Sequence, residues 1–172
     1  NENNAIKTAT EIINSFANKY EEKWLDMMRN KLGLLGKEIK DKSLILDLLT
    51  WMHNKKADYT NTFCHLMGLE SNKNRLYEDK EFLNWKNRWK VRLKTFNNTS
   101  NKYEKLMMNF NPLVIPRNHK VEEALSEAYK DNLKPLNLLL EVLRKPYNKN
   151  KNIAEYQVVS NENKKYQTFC GT

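Results

Sequence analysis

Three histidines (His53, His65, His119) and two cysteines (Cys64, Cys170) are the residues of this 172-residue chain best suited to metal or covalent chemistry. A zinc site needs such side chains at spacings that bring several lone pairs to one point, as in His-Glu-x-x-His on one helix face or paired Cys-x-x-Cys units. Neither pattern occurs in the sequence. Cys64 and His65 are adjacent, so on a helix they point about 100° apart and do not meet. They read as a core cysteine and a partly exposed histidine. The two close glycines, Gly33 and Gly36, lie in Gly-Leu-Leu-Gly without the following Lys-Ser/Thr or the preceding strand of a phosphate-binding loop. The expectation for the chain alone is therefore no catalytic residue, no metal and no cofactor.

Cations interleaved with aromatics are a second kind of chemistry, because together they track phosphates and stack bases. Residues 82–96 have this composition, with Phe82, Trp85, Trp89, Leu93 and Phe96 on one stripe and Lys86, Arg88, Lys90, Arg92 and Lys94 at the other positions. Burial stabilises a single aromatic stripe more than exposure does, so the segment reads as a core helix with solvated cations on its outer faces. The net charge of +9 is uneven. Residues 1–86 carry 14 Lys+Arg against 13 Asp+Glu, whereas residues 87–172 carry 16 against 8. A stand-alone basic module binding nucleic acid or an acidic protein through Lys86–Lys94 is thus an alternative reading, with nucleic acid not the preferred partner.

The elements that would position these groups are helical. Ile6, Ala9, Ile13, Phe16, Tyr20, Trp24 and Met27 recur every three or four residues, and the helix they define stops near Gly33 after the basic turn of Arg29 and Lys31. Asp41, Asp58 and Asp79 are placed to cap the next three helices, with core stripes at Leu44, Ile45, Leu48, Leu49 and Met52, then Tyr59, Thr62, Phe63, Leu66 and Met67, then the aromatic stripe. A brief helix through Tyr103, Leu106 and Met107 meets Pro112 and Pro116, which hold 111–117 extended. Val121 to Ala128 and Leu136 to Leu143 form a helical hairpin, with Pro135 in the first turn of its second helix. After Lys145-Pro146 the periodicity is lost, and 155–160 and 166–170 read as short extended pieces.

Only 4 Gly and 4 Pro, with 40% apolar residues and a mean hydropathy of −0.84, exclude a turn-rich all-β fold and leave a soluble, mainly α chain. The expected organisation is one domain of about seven helices over residues 1–145 and an extended C-terminal tail over 146–172. No stretch approaches a membrane span and no secretion signal opens the chain, so a cytoplasmic protein with no membrane partner is expected. The first residue is Asn1, and a fragment of a longer product is expected.

Five segments carry a resemblance in order. They are Met28-Arg29-Asn30-Lys31-Leu32-Gly33-Leu34; Asp41 with Leu44, Leu48, Leu49 and Met52; Ala57-Asp58-Tyr59-Thr60-Asn61-Thr62-Phe63; Asn111-Pro112 with Arg117-Asn118; and Leu143-Arg144-Lys145-Pro146-Tyr147. From about Trp24 to Thr172 the chain resembles the C-terminal part of the selenoprotein O (SelO/YdiU) family, most specifically at Asp58, Tyr59 and Thr60 and at Asn111, Pro112, Arg117 and Asn118. The resemblance implies a protein-kinase-like fold that transfers AMP from ATP to protein hydroxyls. It also implies that the ATP- and Mg²⁺-binding residues lie upstream of this portion, so the chain alone would be inactive and its partners would be the missing kinase-like portion and the protein substrates. Cys170 matches the family's C-terminal redox residue, which the resemblance pairs with a cysteine outside this chain, although Gly171-Thr172 replaces the family's Ser-Ser. For Asp58, Tyr59, Arg117 and Asn118 the residues themselves suggest a helix cap, a buried ring and a connector pinned by side-chain hydrogen bonds. The functional alternative has Arg117 support the kinase-like core through a buried carboxylate. An apolar patch left exposed on the isolated chain would be the face that packs on the catalytic lobes.

Overall fold

The computed structural model describes residues 2–70, 74–97, 99–149 and 153–160. Eight α-helices lie among them: α1 (Glu2–Lys31), α2 (Asp41–Lys55), α3 (Tyr59–Leu66), α4 (Lys80–Leu93), α5 (Ser100–Phe110), α6 (Asn118–Ala128), α7 (Lys134–Leu143) and α8 (Ile153–Gln157). A 3-10 turn at Arg75–Glu78 precedes α4, and the described residues contain no strand. The chain is mainly α, as its periodicity predicts.

Two apolar clusters hold the helices together, and α3 divides them. The larger takes Met28 from α1 and Leu32 just after it, Leu44, Ile45, Leu48, Trp51 and Met52 from α2, Phe63 from α3, Phe82, Trp85, Trp89 and Leu93 from α4, and Met107 from α5. The smaller takes Cys64 from α3, Leu113 and Val114 from the connector, and Ala124, Leu139, Val142, Ile153 and Tyr156 from α6, α7 and α8. Phe63 and Cys64 are neighbours in sequence, and their angular separation on the helix sends one into each cluster.

The aromatic stripe of α4 is buried as expected, and its indoles are also satisfied. Trp85 and Trp89 donate to the carbonyls of Leu44 and Leu32 at 2.8 and 2.9 Å, and Trp51 donates to the Asp79 carboxylate at 2.9 Å. Such side chains each contribute about 1.5–3 kcal/mol through burial, provided their N–H groups find acceptors. Gly33 is required where α1 meets α5. Its φ is +70°, and a Cβ there would lie 2.9 Å from the Cβ of Tyr103.

Some expectations change. Asp41 does not cap α2; its carboxylate accepts from the Glu38 amide at 3.0 Å and from two arginines, because burial in an ion pair competes with the cap geometry. Arg92 is not on the solvated face of α4 but is 7% exposed. Phe96 leaves the stripe, since its backbone turns to φ 56° after α4 and its ring is 55% exposed. Residues 153–157 form α8 where an extended piece is expected at 155–160, because Ile153, Tyr156 and Gln157 are buried on the α6–α7 hairpin side of the fold. Asp58 and Asp79 do cap α3 and α4, and α6 and α7 pack together as the expected hairpin.

A buried connector hub and a charged cluster as candidate functional sites

The family-motif residues converge where α3, the 111–117 connector and α8 meet. Asp58 ends the turn after α2, and its Oδ1 accepts the Asn61 amide at 2.8 Å, which caps α3. Pro116 stops helix formation until Asn118, so Arg117 sits extended at the start of α6 and reaches back across 59 positions. Its two terminal nitrogens meet the two Asp58 oxygens at 2.9 Å each, a bidentate pair. The remaining donors reach Asn61 Oδ1 at 3.2 Å and the Tyr156 carbonyl at 3.1 Å. Asn61 in turn donates to the Gln157 carbonyl at 2.9 Å, so one guanidinium and one carboxamide fix α8 to α3. Burial pushes the Asp58 carboxyl up, but Arg117 and the Asn61 amide outweigh it and hold it below the ordinary carboxylate value.

The connector is held from both sides. Asn111 is 1% exposed and donates to the Lys31 and Met107 carbonyls at 2.8 Å, while Leu113 donates to the Pro146 carbonyl at 2.7 Å. Gln157 donates to the Leu113 carbonyl at 3.0 Å. Thr60 is buried, Pro112 half-buried, and Asn118 opens α6 exposed to solvent. Tyr59 is not the buried ring expected of it: it is 43% exposed, edge-on to Phe63 at 5.0 Å, and donates to the Met28 sulfur at 3.5 Å. Lys31, which sequence reasoning passed over as a helix-end cation, is 8% exposed, donates to the Phe110 carbonyl at 3.1 Å and lies over the Tyr59 and Phe63 rings. Its position on the inward stripe with Met28 was the available signal.

Cys64 is buried and free, and burial pushes its thiol up to about 11, so it is a packing residue rather than a nucleophile. Cys170 lies outside the described residues. Among the described residues no three His, Cys, Asp or Glu side chains gather in an arrangement that could hold a metal ion. Asp41 and Asp58 already spend their oxygens on arginines. Among the described residues no helix is long and apolar enough to cross a membrane.

The first half of α1 is a different kind of surface. Ile6, Ile13, Phe16 and Tyr20 are 58–71% exposed, and Phe16 stacks on Tyr20 at 6.1 Å. Core packing begins at Trp24, Leu25 and Met28, while Met27, expected on the inward stripe, is 40% exposed. No described element covers the exposed stripe.

Comparison with known proteins places these features in context. The family model of the protein adenylyltransferase SelO matches residues 3–144. A protein nucleotidyltransferase YdiU from Pelagibacter ubique is 49% identical over all of this chain and 36% of its own length. Its namesakes from Alcanivorax borkumensis and Clostridium perfringens are 45% and 40% identical over 98% of the chain and 35% and 34% of theirs. The chain spans about a third of the length of the curated relatives it matches.

Proposed function

The chain belongs to the SelO family, and we propose that it is the helical C-terminal portion of a protein adenylyltransferase, serving as a scaffold for catalytic groups carried elsewhere in the protein. The observation that carries this reading is the full-length match of the chain to about a third of each relative, together with an α1 face whose apolar residues no described element covers. An exposed stripe of Ile, Phe and Tyr is unfavourable in water and fits a surface that packs on the rest of a larger fold. The whole enzyme would transfer AMP from ATP to Ser, Thr or Tyr hydroxyls of protein substrates in the cytoplasm. ATP and Mg²⁺ would be held by residues outside this chain. Asp58, Tyr59, Thr60, Asn111, Pro112, Arg117 and Asn118 would serve the scaffold by locking the connector, and Cys170 would form a redox-sensitive disulfide with a cysteine outside this chain.

The test is transfer of label to protein from ATP carrying the label at the α- or the γ-phosphate. The chain alone is expected to transfer neither. Joined to the remaining two thirds of the family's fold, it is expected to transfer α-label only, and Phe16→Glu on α1 is expected to weaken that joining without unfolding the chain. Transfer of γ-label, or α-label transfer by the isolated chain, overturns the reading. In the basic-module alternative Arg92 is buried against Asp41 and Lys86 faces His65, while Arg88 stays exposed beside Asp47.

A further inference from the structure

A cluster of titratable groups lies outside the connector hub, at the contact of α3 with α4. His65, near the end of α3, is clamped by four groups from three directions. Its Nδ1 lies 2.9 Å from Glu70 Oε2, on the segment leaving α3. Its Nε2 lies 3.1 Å from Lys86 Nζ on α4. One face of the ring stacks on Tyr77 of the 3-10 turn, with centroids 3.9 Å apart and planes within 17°, and an edge meets Phe82 of α4 at 5.6 Å. Lys90, one turn beyond Lys86, adds positive potential to the lysine.

The partners dictate the tautomer. A lysine ammonium has donors only, so the nitrogen facing Lys86 must be a bare acceptor, and the single ring proton must sit on Nδ1 and point at Glu70. A half-turn of the ring about its Cβ–Cγ bond would set carbons, not nitrogens, against Glu70 and Lys86, so these roles are fixed. Protonation therefore places an N–H against an ammonium at hydrogen-bond distance, with like charges facing each other in a half-buried setting. The side chain able to move is Lys86, whose long stem is only partly covered.

We propose that His65 is an acid-sensitive latch: neutral, it ties the end of α3 to α4 through Lys86, and on protonation it expels the Lys86 amine and loosens the α3–α4 contact. Burial pushes the imidazole below its ordinary value of 6.5, Lys86 adds to that push and Glu70 opposes it. With the folded-state value depressed, the unfolded chain binds the proton more readily. The latch's stabilisation is complete above pH 6.5 and is lost as pH falls below it.

The experiment is a pH titration of the ring nitrogens by long-range ¹⁵N NMR on the full 172-residue chain, with His65→Gln used to assign the resonance. The expected result is an Nδ1–H tautomer at neutral pH, a midpoint below about 6.5, and an upward move of about half a unit or more in Lys86→Met. Amide protection of α3, corrected for intrinsic exchange, should fall several-fold between about pH 7 and 5.5, and by less in Lys86→Met. An Nε2–H tautomer, a midpoint at or above 6.5, or a midpoint that Lys86→Met leaves in place overturns the latch.

Discussion

Asp41 opens α2 from inside and Asp58 caps α3 from just outside, and both bind arginines from distant parts of the chain, yet they anchor different kinds of structure. Asp41 is 1% exposed and takes Arg29 from α1 at 2.7 Å and Arg92 from α4 at 2.7 Å, so one carboxylate ties two guanidiniums together, with Asp26 as the second acidic partner of Arg29. Asp58 keeps about a fifth of its side chain in solvent, takes one arginine bidentately, and spends its remaining capacity on a helix cap. The first is a three-helix bolt through a core. The second is a hinge pin that fixes a connector and a short helix to the edge of that core. The difference shows that a carboxylate just outside a helix can serve the cap and one arginine together, whereas one drawn between two arginines keeps only a loop amide.

Breaking the bolt should have the largest effect. Arg92→Ala leaves Asp41 nearly dry with only Arg29 and the Glu38 amide as partners and frees the Leu35 and Gly36 carbonyls that Arg92 now reaches at 3.0 and 3.3 Å. Removing one partner of a buried pair costs about 3–5 kcal/mol, read as the midpoint shift in urea unfolding. Arg117→Ala should cost about 2–3 kcal/mol, because water can reach Asp58 and replace part of what is lost. Equal losses at the two arginines would erase the distinction between bolt and pin. Arg117→Lys sharpens it: a lysine keeps the charge but not the fork, so α8 should lose amide protection while α2 and α4 keep theirs.

Acid separates the two sites from wild-type solution behaviour. For Asp41, as for Asp58, burial raises the carboxyl, but the hydrogen bonds from Arg92, the Glu38 amide and Arg29 outweigh it and the net direction is down. A carboxyl depressed in the folded state stabilises the fold above its unfolded value of about 3.9 and loses that contribution as pH falls through it. Unfolding free energy should therefore decline below about pH 4, and Asp58→Asn should flatten that decline while retaining most of the α3 cap. A variant that declines as steeply as wild type would remove Asp58 from the acid-labile set.

The helices were legible because their apolar stripes recur at three and four residues, and the caps at Asp58 and Asp79 because a short polar residue precedes each stripe. The connector was legible from Pro112 and Pro116. What pattern could not supply was which charges go inside. Arg92 lies among Lys86, Arg88, Lys90 and Lys94, and only the arrival of Asp41 from 51 positions away distinguishes it. Helix α8 was hidden for a similar reason, since five residues are too short for a periodic signal and their order comes from Gln157 and Tyr156 meeting the connector and Arg117. The same holds for Arg117, where the motif named the residue and only the fold names Asp58 as its carboxylate.

The smallest effect is expected at a third acid–arginine pair, and it is the control for the other two. Arg88 on α4 meets Asp47 on α2 at 2.8 Å, the same spacing class as the bolt, but the side chains are 55% and 49% exposed. Water and salt screen such a pair, and holding two long side chains in place takes back most of the attraction. Arg88→Ala should therefore change the unfolding free energy by less than about 0.5 kcal/mol, and less still at high salt. Arg88 and Arg92 are four residues apart on one helix, so propensity and net-charge effects of the two alanine variants nearly cancel between them. A loss at Arg88 comparable with that at Arg92 would mean that charge on α4, rather than desolvation around Asp41, holds α2 to α4.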